Sequence, residues 1–315
     1  MATRVLLTVD TEFARRHAAG GSAPWREVFA RSCEAAGVGI PFQLELLRRH
    51  RLKATFFVDP LPALVYGLAP VRAMVEPILE AGQEIGLHLH PFWKGLARGR
   101  EDRRELADFP PAAQREMLAT ARDLLIEAGA PAPIAFRAGS YAASRATLEL
   151  LPAFGIRYDS SHNGCYHPRP CAVPLDPACI APRRLAGIVE VPVTQIEAPG
   201  GALRHLQFCA VSAREMRAAL AHAAAGDHPV AVLVGHGFEL ARRDGLAEKP
   251  PIRRRFERLC AWLEERSDEL PTARFAELGD LPLDADAVPY AAGPAMVARR
   301  MAAQLVADAV YERRA

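Results

Sequence analysis

The chain has 315 residues, 50% of them hydrophobic and 24% charged, which supports a large core and excludes a disordered or fibrous protein. Thirty-nine basic against 37 acidic residues give a formal net charge of +2, too balanced for a general nucleic-acid or anionic-membrane binder, so the expected partner is a small molecule or a glycan. No apolar run approaches the length of a membrane span, and the first ten residues lack the long apolar stretch and cleavage site of a signal peptide, so a cytoplasmic location is expected.

Along the chain, short β-branched runs alternate with longer helical patterns, the signature of repeated β-α units around a mainly parallel sheet. The predicted strands are Val5–Val9, Ala54–Val58, Glu84–His90, Ile134–Arg137, Ile156–Tyr158, Ile188–Val193, Val230–Gly235 and Thr272–Phe275. The predicted helices are Trp25–Ala36, Pro41–His50, Val71–Ala81, Ala112–Ala128, Arg145–Phe154, Ala213–Ala225 and Pro251–Arg266. Seven or eight strands in a stretch of this length fit a complete or incomplete β/α barrel over residues 1–280 as one domain. A doubly wound dinucleotide fold would carry a glycine-rich loop after its first strand, where this chain has the carboxylates of Thr8-Val9-Asp10-Thr11-Glu12. Residues 281–315 read as a helical extension. Its helix runs from about Pro294 to Arg313 with Val297, Met301, Leu305 and Val310 near one face, and it either packs on the barrel or pairs two subunits as a homodimer.

The six cysteines, at positions 33, 165, 171, 179, 209 and 260, show no CxxC pair, which fits reduced thiols. His162, Cys165, His167, Cys171 and Cys179 cluster in a proline-rich segment that reads as a rigid surface loop, with a second metal site as the alternative.

Five segments that carry chemistry all fall at predicted strand ends. Asp10 and Glu12 are two residues apart and so share one side of the first strand; such a pair shares a proton or binds a cation, unless it merely caps a helix. His88 and His90 repeat the pattern, both leaving one face while Leu87 and Leu89 enter the core. A carboxylate oxygen with two imidazole nitrogens and one open position is the usual catalytic zinc arrangement. Arg137, followed by the Gly139 turn, can set a guanidinium against a carboxylate and offer backbone N–H groups to an oxyanion. Tyr158-Asp159-Ser160-Ser161 is the fourth segment. His236, after a fully apolar strand, is the fifth and suits a charged general acid raised by a nearby aspartate.

Taken in order, Thr8–Glu12, His88–Pro91, Arg137–Tyr141, Tyr158–Ser161 and His236 resemble the motif series of the polysaccharide deacetylases, the NodB-homology domain of carbohydrate esterase family 4. Lys53–Val58 also resembles that family's second strand. The resemblance implies a distorted, incomplete β/α barrel and metal-dependent hydrolysis of an N-acetyl or related acyl group on an amino sugar or glycan. It implies Asp10 as general base, Glu12, His88 and His90 as ligands of a divalent ion, most simply zinc, and Arg137 as the partner of the base. Tyr141 would lend its backbone N–H to the oxyanion hole, Asp159 would partner the acid, and His236 would be that acid. The chain differs from the common family pattern in having Asp-Thr-Glu where adjacent aspartates are usual, and HxH in place of HxxxH. With no signal peptide, the resemblance points to a biosynthetic intermediate as substrate. The alternatives are an amidohydrolase acting on a non-sugar C–N bond, such as a ureide or formamide, and a metal-free carbohydrate-binding barrel. Phe92, Trp93 and Tyr141 lie close enough in sequence to stack on a sugar face, or else pack the barrel.

Overall fold

A computed structural model describes residues 2–312 of the chain. The strands are β1 (Arg4–Thr11), β2 (Ala54–Val58), β3 (Glu84–Leu89), β4 (Ala135–Ala138), β5 (Tyr158–Asp159), β6 (Arg183–Leu185), β7 (Ile188–Glu190), β8 (Gln195–Glu197), β9 (Leu203–His205), β10 (Val230–His236) and β11 (Tyr290–Ala291). Eight of them form a curled, open barrel sheet in the order β10-β1-β2-β3-β4-β5-β7-β6, parallel except for the β6–β7 hairpin. The remaining three make a small sheet, β11-β8-β9. Near-continuous apolar runs such as Val5–Leu7 and Val230–Val234 are buried because helices cover the outer face while the curled sheet encloses the inner one.

Side-chain alternation sorts the barrel interior into two levels. Leu6, Phe57, Ala135, Tyr158, Val230, Val232 and Phe275 form an apolar plug at one end. One or two steps further along the same faces come Thr8, Asp10, His88, Arg137 and His236, so the polar groups gather at the C-terminal ends of the strands. Register brings them level: Asp10 lies opposite His236 across β1 and β10, and His88 opposite Arg137 across β3 and β4.

Seven of the eight predicted strands are present, with ends shifted by up to three residues. Thr272–Phe275 is not a strand. Since β2 begins opposite Leu7, only the start of that edge of β1 is open, and it takes a single bridge from Thr272 to Val5 before Phe275–Glu277 turns away as a 3-10 helix. Phe275 instead completes the plug against Phe57 and Tyr158. The predicted helix Trp25–Ala36 is α-helical over Trp25–Phe29 and continues as a π-helix over Ala30–Glu34, where Ala35 and Ala36, both at positive φ, end it. The outer edge of β10 is not left bare, because Leu206 and Phe208 hydrogen-bond to Val234 and Thr194 to Val232.

The last helix, Pro294–Tyr311, is fastened to the barrel by a buried ion pair between Arg300 and Glu215 (3.1 Å), by Gln304 on the Cys209 and Ala210 carbonyls, and by Lys249 to Asp308 and Glu312. Val297 packs on the core, whereas Met301, Leu305 and Val310 face solvent; the predicted end at Arg313 lies outside the described residues. No helix among the described residues is long and apolar enough to cross a membrane.

Candidate active site

A cavity of about 280 Å³ opens at the C-terminal mouth of the sheet, lined by Asp10, Glu12, His88, His90, Ser140, Tyr141, Tyr166, Pro170, Gln207 and His236. Six of the eight site residues expected from sequence line it, and a seventh, Arg137, lies directly behind it. The Arg137 guanidinium is wholly buried, stacked on Phe57, and donates to Asp10 Oδ1 (2.7 Å), Thr8 Oγ1 (2.9 Å), and the Ser160 carbonyl and hydroxyl. Burial alone would push the Asp10 carboxyl up, but Arg137, with His88 and His236, brings it below its ordinary value, so Asp10 is an ionised carboxylate in an enclosed site.

Glu12 Oε2 lies 2.5 Å from His90 Nε2 and 3.4 Å from His88 Nε2, yet is buried without hydrogen-bond geometry to any group. His88 donates its Nδ1–H to the Arg137 carbonyl (2.7 Å), which leaves its Nε2 lone pair turned toward Glu12. Burial opposes charge on Glu12 and His90 alike; their mutual attraction overrides it, holding the Glu12 carboxyl well below its ordinary value and raising His90. Among the described residues this trio is the only set of His, Cys, Asp or Glu side chains whose ligand atoms converge within 4.8 Å. One orphaned carboxylate oxygen facing two imidazole nitrogens is the donor set of a borderline divalent cation such as zinc, so the residues present fit the expected metal. Gly139 is part of the cradle: a Cβ there would overlap the His90 ring and the Leu89 carbonyl.

The turn after β4 places Ser140 and Tyr141 consecutively in the left-handed region (φ 54° and 58°), an unfavourable backbone for residues with side chains, and it sets Tyr141 on the cavity wall. His236 projects from the end of β10 with Nε2 3.8 Å from Asp10 Oδ2.

Asp159 departs from expectation. It makes no contact with His236 and accepts from the Ser161 hydroxyl (2.7 Å) and N–H (3.2 Å) beside Glu190 of β7, because it follows the inward-facing Tyr158 and is level with Phe136, so its side chain leaves β5 on the face away from the cavity. The carboxylate at His236 is Glu239, 2.8 Å from Nδ1. Phe92 and Trp93 are buried among Phe13, Tyr66 and each other, so they pack the barrel. The cavity's aromatic face is Tyr141 stacked on Tyr166 (5.6 Å, 17°), with His205 against both. The His162–Cys179 segment gathers no ligand set: His162 bonds the Asp176 carbonyl, Cys165 Gln195, Cys171 the Ser161 carbonyl and Cys179 the Ala181 carbonyl.

Sequence reasoning did not find Glu239, Gln207, Tyr166, Arg15 or Asp59. Arg15 Nη2 lies 2.8 Å from His90 Nδ1 and pairs with Glu105. Asp59, at the end of β2, accepts from the His90 N–H; burial raises its carboxyl to about 6. The signal for Asp59 was its place directly after an apolar strand. Glu239 was marked only by its spacing of three from His236, and Tyr166 by nothing local.

No protein-family model and no curated protein matches the chain. Among solved structures, it is similar to a protein from Mycobacterium smegmatis described as a polysaccharide deacetylase, with 19% identity, a TM-score of 0.50, and coverage of 87% of this chain and 94% of that one. It is also similar to a family 4 carbohydrate esterase from Streptomyces lividans solved with acetate, at 11% identity and a TM-score of 0.43 over 91% of this chain and 98% of that one. The curled eight-stranded sheet, open between β10 and β6, thus shares the distorted barrel fold of the Mycobacterium smegmatis protein.

Proposed function

We propose that the chain is a metal-dependent hydrolase that removes an N-acetyl or related acyl group from an amino sugar or a glycan. The observation that carries this reading is the meeting, in one cavity, of an ionised buried carboxylate, a carboxylate–imidazole trio and a histidine from the end of the neighbouring strand β10. Glu12, His88 and His90 would hold the divalent ion, with zinc the simplest match to the donors. Bound there, the ion would polarise the acyl oxygen and acidify a water. Asp10, kept ionised by Arg137, takes the proton of the attacking water, and the backbone N–H of Tyr141 steadies the charge that grows on the acyl oxygen. His236 gives a proton from Nε2 to the departing nitrogen, without which an amine leaves very slowly. Burial disfavours its charge, but Glu239, Asp10 and Glu12 raise its pKa to about 9, so that proton is present at neutral pH. Tyr141 and Tyr166 offer a flat apolar wall suited to a sugar ring.

The modest cavity, at the small end of ligand pockets, favours one second reading: an amidohydrolase using the same groups on a compact ureide or formamide. Elemental analysis of untagged protein beside Glu12→Ala and His90→Ala, with release of acid measured from N-acetylated monosaccharides, sugar nucleotides, oligosaccharides, ureides and formamides, tests both. About one equivalent of zinc or a similar ion in the parent, lost in both variants, with turnover of an N-acyl sugar, is the expected result. A parent that takes up no metal even from added zinc would overturn the reading in favour of a binding barrel. Turnover confined to the ureides would establish the second reading.

A further inference from the structure

We propose that Glu239 is the positioning residue of His236, holding the imidazole by Nδ1 so that Nε2 faces the scissile amide, a part for which Asp159 is misplaced. This rests on the deacylase reading of the cavity. The strand end dictates the arrangement: Gly237 donates its N–H to the Asp10 carbonyl (3.2 Å) and Glu239 its own to the His236 carbonyl (3.2 Å), one tight turn that folds Glu239 back beneath the ring. The Nδ1–H donates to Glu239 Oε1 at 2.8 Å, and the carboxylate is the more buried partner, 4% exposed against 20% for the histidine. Gln207 pins Glu239 from the other side by donating to the same oxygen, and is itself bonded to His205. Phe238 packs on the imidazole with ring centres 5.2 Å apart.

Other charged and titratable groups also face His236: Asp10 and Glu12 from β1, and His205 from the end of β9. Of these charged groups only Glu239 is within hydrogen-bond distance of a ring nitrogen; the neutral Gln207 amide lies 3.3 Å from the same Nδ1, so Glu239, at 2.8 Å, is the nearer and the only anionic partner. A carboxylate on Nδ1 fixes the tautomer that leaves the transferable proton on Nε2 and stabilises the imidazolium before it is spent.

The test compares Glu239→Gln, Glu239→Asp and Asp159→Asn with the parent, by kcat and KM on the substrate found above and by 15N spectra of histidine-labelled protein. Glu239→Gln is expected to lower kcat by about 100-fold with KM changed less than about threefold. It should also lower the titration midpoint of the His236 imidazole by more than about one pH unit. Glu239→Asp should restore part of both, and Asp159→Asn should leave the imidazole signals in place. Unchanged kcat and midpoint in Glu239→Gln, or a displaced imidazole in Asp159→Asn, would overturn the proposal. A parent that turns over no N-acyl compound defeats the deacylase reading instead, and the imidazole spectra then decide the pairing by themselves.

Discussion

Asp10 shows how a single residue's charge is tied to the stability of the whole chain. Its carboxylate is 3% exposed, and the wholly buried Arg137 is what makes an ionised group tolerable there. Arg137→Met should therefore cost about 3–5 kcal/mol in denaturant unfolding at neutral pH, since it strands a buried charge. The pH dependence follows from the direction of the Asp10 shift. A carboxyl lowered on folding stabilises the native state above its unfolded pKa and loses that contribution as pH falls through the folded one, so the deficit of the variant should shrink below about pH 4. A deficit that stays constant into acid would show that lost packing on Phe57, not charge, is the source.

Between neighbouring elements the opposite sign appears. The short parallel pairing of β5 with β7 sets Asp159 beside Glu190, two fully buried carboxyls. Burial, then the Asp159 charge, pushes Glu190 well above its ordinary value, so the native pair retains a proton that the unfolded chain gives up. Stability should then fall as pH rises above about 4.5, where unfolded glutamate ionises, and level off only above the raised native pKa. Glu190→Gln keeps a hydrogen-bond donor for Asp159 without the proton release. Its melting temperature should match the parent's near pH 4 and exceed it at pH 8; equal melting temperatures at both would show that the pair ionises freely. The ion pair of Arg300 with Glu215 works at the same scale, tying the last helix to the Ala213–Ala225 helix through a contact that neither helix pattern reveals.

For the molecule as a whole, the open barrel works as a device that turns strand order into proximity. Glu12 comes from the end of β1, His88 and His90 from β3, and β2 lies between them. A cation held by all three would bridge separate parts of the sheet, and binding to the folded state alone must stabilise it. Zinc at about 100 times its dissociation constant should add about 2.7 kcal/mol, read as a rise in melting temperature by calorimetry, and Glu12→Gln should abolish the rise. A rise that persists in Glu12→Gln would place the bound metal elsewhere.

The sequence alone determined whatever depends on local pattern. Apolar runs of strand length, two-residue spacing at their ends and the order of five motifs located seven of the eight strands of the barrel sheet, all but β6, and seven of the residues in or behind its cavity, because strand periodicity and the gathering of strand ends are local and topological rules. What it left open depends on where segments stop relative to one another. Asp159 carries a motif position but is level with Phe136, on the face of β5 opposite Tyr158, a matter of the register of β5; Glu239 stands at His236 because a turn after β10 closes on it. Trp93 and Phe92 look like sugar-stacking residues in sequence and are buried in the packing behind the site, while the exposed aromatic wall draws on Tyr166 from a proline-rich loop. Such assignments are set by contacts between residues far apart in the chain, and only the tertiary structure decided them.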